Sequence, residues 1–160
     1  MPQDFLKIKD RQCSNSILMP QIIAFIDAGH SVTILLRGYS MRPFLEHDRD
    51  KAVLVKPEKV VAGDVVLAKT EADKYVLHRV VSVNGNYIRL RGDGNIACEF
   101  CQLCDVKGKV FGFYRKGRAK MEKTSGLKWK FYSFVWCRLL PIRKYLLAIY
   151  KLLCVKNDKH

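Results

Sequence analysis

At 160 residues, with 49% hydrophobic and 28% charged side chains, the chain is long enough to bury one domain's core and leaves room for little beyond an appendage. Its net charge of +14 is uneven: residues 1–106 carry 14 basic and 13 acidic side chains, and residues 107–160 carry 15 and 2. No run reaches the roughly 18–20 apolar residues of a membrane-spanning helix, and Asp4, Lys7, Lys9, Asp10 and Arg11 stand where a secretory signal would need an apolar core, so neither is expected.

In chain order, Ile17–Ala28 reads as a short amphipathic helix, capped near Ser14 or Asn15 and ended by Gly29. Ser31–Arg37, Ala52–Lys56, Val65–Lys69, Tyr75–Val83 and Tyr87–Arg91 are rich in β-branched and aliphatic residues and predict strands. Asn84-Gly85-Asn86 joins the last two as a tight hairpin, because Asn-Gly tolerates positive φ. Lys109–Tyr114 closes the β part, and the lysines around Gly117 and Gly126 read as a linker. The tail, Leu127–Val155, predicts two helical pieces broken at Pro141, since proline removes a helix hydrogen bond and clashes with the preceding turn. The resulting division is an N-terminal helical segment (1–30), a β domain (31–116) and a basic linker with helical tail (117–160).

Within the β domain a hydroxyl, an imidazole and a carboxylate recur in ordered boxes: Ser40-Met41-Arg42-Pro43, Leu77-His78-Arg79-Val80 and Gly92-Asp93-Gly94-Asn95. Serine attacks a carbonyl only with a base in hydrogen-bond reach. Histidine, with an ordinary pKa of about 6.5, is largely neutral and proton-accepting near pH 7. As isolated residues, Ser40 would be a turn serine and His78 a core histidine; together they predict one active site.

These boxes resemble the peptidase superfamily that unites type I signal peptidases with self-cleaving SOS-type repressors. Gly38–Pro43 is similar to its nucleophile box, and Ala62-Gly63-Asp64-Val65-Val66 to its Gly-Asp box. Leu77–Val80 resembles the base box, Gly92–Asn95 the Gly-Asp-Asn box, and Asp105–Val110 the closing strand. Histidine at position 78 is like the endoplasmic-reticulum and archaeal variant, which implies a Ser/His serine endopeptidase with Ser40 as nucleophile and His78 as base. Asp93 is the expected third member, with Glu99 or no acid as alternatives. A serine that helps hold the oxyanion usually stands two residues before the nucleophile; here it is Gly38. Met41 and Pro43 are expected to shape the substrate pocket, and an extended polypeptide to add along an exposed strand near Ser40. The resemblance implies no cofactor, and the family's N-terminal membrane anchor is expected to be missing.

The remaining candidates are weaker. Cys98-x-x-Cys101-x-x-Cys104 invites a zinc or iron–sulfur reading, but no second knuckle accompanies it, so no metal is expected. The cysteines are read as free thiols of a reducing cytosol, and His30 and His47 as solvated. In the tail, Trp129, Tyr132 and Trp136 among basic residues have the composition of an interfacial helix, which makes an anionic membrane surface the expected partner, at its inner face. Docking of the tail on the β body or on another subunit is the competing reading. Nucleic acid is disfavoured: a basic run alone attracts phosphate without specificity, and no helix-turn-helix precedes the body. The overall expectation is a mostly β, signal-peptidase-like domain with an N-terminal helix and a basic amphipathic C-terminal helical appendage. A catalytically decayed peptide- or leader-binding module, or a membrane-associated scaffold, is the alternative.

Overall fold

The computed structural model describes residues 15–139 and 141–157, with side chains over 18–139 and 141–153. The fold is mostly β: eight antiparallel strands curl into a half-barrel, flanked by one N-terminal and two C-terminal helices. In chain order these are α1 (Asn15–Asp27), β1 (Val32–Leu35), β2 (Lys51–Val55), β3 (Val65–Lys69), β4 (Tyr75–Asn84), β5 (Tyr87–Arg91), β6 (Glu99–Gln102), β7 (Val106–Tyr114), β8 (Glu122–Lys123), α2 (Leu127–Arg138) and α3 (Arg143–Asn157). The sheet runs β1-β2-β7-β3-β4-β5-β6, with β8 pairing beside β7.

The five expected strands before residue 92 and the last one are present. Strand β3 explains itself best: Val65 and Leu67 face one core while Val66 and Ala68 face another, so an unbroken apolar run is buried on both sides. Two strands escaped the sequence reading. Strand β6 lies in the Cys98–Cys104 segment and pairs with β5 while burying only Cys101 fully; β8 is a two-residue edge.

Helix α1 ends as the glycine signal predicts. His30 N–H bonds Phe25 O at 3.0 Å, Gly29 N–H bonds Ile26 O at 2.9 Å, and Gly29 takes φ +88°, a Schellman stop that L side chains resist. Ser14, one of the two expected caps, lies outside the described residues. Ile22 and Ile26 bury against β7, where a Cβ on Gly108 would meet Ile26 Cδ1 at 3.1 Å.

The tail divides near Pro141 as expected, but Trp129, Tyr132 and Trp136 turn inward. Trp129, Ser133 and Trp136 are buried, and Trp129 joins Phe113 and Phe44 in the core that also holds Ile22 and Ile26. Expected as interfacial side chains, Trp129, Tyr132 and Trp136 instead pack on the β body, because Phe44 and Phe113 offer rings at 4.2–4.9 Å and Tyr132 stacks on Trp136. Among the described residues no helix is long and apolar enough to cross a membrane.

Candidate active site

Residue 40 sits in a tight turn after β1. Arg42 N–H bonds Tyr39 O at 3.1 Å and Leu45 N–H bonds Met41 O at 3.0 Å, winding residues 39–45 into a short helical turn. The Gly-Asp-Gly-Asn box packs directly against it. Gly94 N–H donates to Ser40 O at 2.8 Å, and a Cβ on Gly92 would stand only 2.3 Å from that same oxygen. A Cβ on Gly94 would meet Tyr39 O at 2.8 Å, so both glycines are there to let two backbones touch.

The opposite side of the Ser40 turn is braced by His47 and Asp50. His47, expected to be solvated, is half-buried and accepts the Gly38 N–H on Nδ1 at 2.8 Å. Asp50 is fully buried and accepts from Glu46 N–H, Lys116 N–H and the Arg49 guanidinium. Burial pushes its carboxyl up, but those bonds together hold it below the usual carboxylate range. Chain distance hides such braces: Lys116 is remote in sequence from Asp50, and no motif joins His47 to Gly38.

His78 is buried on β4, opposite Val66 of β3. Its Nδ1 lies 2.7 Å from Glu99 Oε2, at the start of β6. Neither atom has another hydrogen-bond partner among the described residues, and both are shielded from solvent, so each has only the other. A neutral imidazole that keeps its proton on Nδ1 and points that N–H at Glu99 leaves its Nε2 lone pair free. Burial lowers the His78 pKa below its ordinary value, with the Glu99 charge and contact pulling the other way. The side chain is thus set to be neutral near pH 7.

Asp93, the expected third member, is engaged elsewhere. It is fully buried and takes Arg79 in a two-pronged pair, Nε to Oδ1 at 2.8 Å and Nη2 to Oδ2 at 2.7 Å. The remaining Arg79 nitrogen reaches Gly63 O at 3.0 Å and Ser133 Oγ at 2.6 Å, while Trp136 Nε1 donates to the Asp93 carbonyl at 3.1 Å. Successive strand residues point to opposite faces. Arg79 therefore leaves His78 behind and turns toward α2, taking Asp93 with it. The carboxylate on the imidazole is that of Glu99.

Ser40, His78, Glu99 and Asn95 line one cavity of about 300 Å³, together with Met41 and Leu45. Met41 sits where a pocket-shaping residue was expected; Pro43 stays in the turn and is not among the lining residues. No hydrogen bond joins Ser40 Oγ to His78 among the described residues. The cavity walls are two strand ends: Leu36–Gly38 leaving β1, and Tyr75–His78 entering β4. Strand β1 is an edge of the sheet, and Tyr75–His78 pair with β3 on one side only, since β5 joins β4 from Arg79 onward.

The cysteine triplet does not converge. Cys101 is buried in the second core, where burial pushes its thiol up to about 11, and Cys104 is exposed. Among the described residues no group of His, Cys, Asp or Glu side chains is gathered as a metal site. His30 is exposed beside Phe25. A scan against models of known protein families finds no match to this chain, and a search of curated proteins finds none.

Proposed function

We propose that the protein is a serine endopeptidase of the signal-peptidase type, cleaving a peptide bond in an extended polypeptide. One observation carries this reading: a buried imidazole held by a carboxylate at 2.7 Å opens onto the cavity that Ser40 lines. The substrate strand lies between the half-paired ends of β1 and β4 and satisfies backbone groups on either side, which selects an extended chain.

Ser40 Oγ attacks the carbonyl, His78 Nε2 takes the hydroxyl proton, and Glu99 holds the ring and balances the imidazolium charge. The tetrahedral oxyanion takes the Ser40 N–H. The Asn95 side-chain amide, in the same cavity, is the second donor in place of the hydroxyl that Gly38 lacks. His78 then returns the proton to the leaving amine, and water releases the acyl group from Ser40.

The unmade bond between Ser40 and His78 favours one second reading, a decayed site that holds a peptide without cutting it. A serine-reactive acylating probe separates the two. Covalent labelling that disappears in Ser40→Ala supports the peptidase; labelling that is absent, or unchanged by that substitution, leaves the binding module. A peptide-library cleavage profile then reads the residues flanking the cut.

A further inference from the structure

Helices α2 and α3 each turn an apolar stripe outward, opposite the residues they bury. On α2, Trp129, Ser133 and Trp136 are buried, while Leu127, Phe131 and Phe134 stand on the opposite face, Phe131 at 70% exposure. On α3, Arg143 and Leu147 are buried, while Tyr145, Ile149 and Leu152 stand out, Leu152 at 70%. Both outward sets repeat at i, i+4, i+7, the spacing of one helix face. From Leu127 to Asn157 the sequence has seven basic residues and no acidic one. Lys128, Lys130, Lys144 and Lys151 are all exposed.

We propose that the outward faces of α2 and α3 dock on an anionic phospholipid surface, the apolar stripes entering the acyl boundary and the exposed lysines meeting the phosphates. Helices that lie in a bilayer interface combine these two features, and neither helix is long and apolar enough to span. The charge argues against other occupants. A second copy meeting the same face would bring two wholly basic surfaces together without a counter-charge. Nucleic acid would satisfy the lysines but leave the leucines and phenylalanines without apolar cover. The docked helices are also tied to the β body through Ser133 to Arg79 and to the cavity wall through Tyr150 Oη to Glu46 at 3.3 Å, so docking holds the Ser40 cavity in a set relation to the lipid surface. This inference does not depend on the chemistry at Ser40.

The test is co-sedimentation of the full chain with vesicles of phosphatidylcholine alone or mixed with phosphatidylglycerol. Binding should rise at least about tenfold with the anionic lipid and fall with added salt, each surface lysine near anionic lipid being worth roughly fivefold. Phe131→Ser with Leu152→Ser should cost at least about tenfold, since two buried apolar side chains are withdrawn from the acyl boundary. The near-UV signal of the buried Trp129 and Trp136 reports whether this variant folds. Lys128→Glu with Lys130→Glu, which spares the stripes, should weaken binding to anionic vesicles as well. Ser40→Ala should bind as the unaltered chain does, whether or not that serine is a nucleophile. No vesicle binding overturns the proposal. So does binding by Phe131→Ser with Leu152→Ser equal to that of the unaltered chain, self-association that this double substitution abolishes, or binding to RNA in preference to lipid.

Discussion

Asp93 and Glu99 are six positions apart, and each lies against one of two adjacent residues of β4, yet their surroundings differ completely. Asp93 is sealed from solvent and locked in two bonds by a guanidinium that is itself 2% exposed. Glu99, with 39% of its side chain exposed, shares a single short contact with a buried imidazole at the edge of a cavity. A carboxylate enclosed with its counter-charge is part of the scaffold. One that meets an imidazole at a cavity rim can respond when that imidazole gains a proton. Because strand side chains alternate, one strand delivers its arginine to the scaffold and its histidine to the cavity.

Substitution can break this contrast, and the largest effect should come at the cavity. If the protein is the peptidase proposed above, Glu99→Gln should lower its cleavage rate by about 10²–10⁴-fold, the range for losing the group that orients a general base. Stability, read by urea melting, should move by no more than about 1 kcal/mol, because Glu99 is 39% exposed and the glutamine amide still offers the buried imidazole an acceptor. A variant that cuts at the full rate would remove Glu99 from the mechanism. Asp93→Leu should do the reverse. Stripped of its partner, the buried Arg79 charge should cost about 3–5 kcal/mol of stability, and Arg79→Met combined with Asp93→Leu should recover most of it. If the single substitution melts like Glu99→Gln, the two carboxylates are not the distinct pair described above.

Much of this frame is legible in the chain, and the illegible part has physical causes. β-Branched runs, Asn84-Gly85 and Gly29 mark strands, hairpin and helix end because those signals are local. The boxes bring Ser40 and His78 to one cavity. The choice between Asp93 and Glu99 is not local, although one signal was present: Arg79 follows His78 on a strand, must face the other way, and once buried must claim an acid. Strand β6 stayed hidden because only Cys101 in it is fully buried, so its pattern looks like loop. The α2 segment is apolar around much of its circumference, and periodicity cannot choose its inner face. Phe44 and Phe113, distant in sequence, make that choice by offering rings to Trp129.

The finest difference between the two acids should be seen in pH profiles. In the proposed mechanism His78 is a base only when neutral, and burial holds its pKa below the ordinary value of about 6.5. The rate should therefore fall on acidification along a limb centred below that pH. The fold should also lose stability as pH drops below about 6.5, because the unfolded imidazole accepts a proton that the folded one resists. Glu99 is the main influence raising this pKa against burial, and the charge of Asp93 is the lesser one. Removing Glu99 leaves burial less opposed, so the acid limb of Glu99→Gln should shift to lower pH even as its plateau falls. Asp93→Leu, measured under conditions where it stays folded, should shift the limb in the same direction by less. A limb that moves upward in Glu99→Gln, or further in Asp93→Leu, would mean that His78 answers to Asp93 after all.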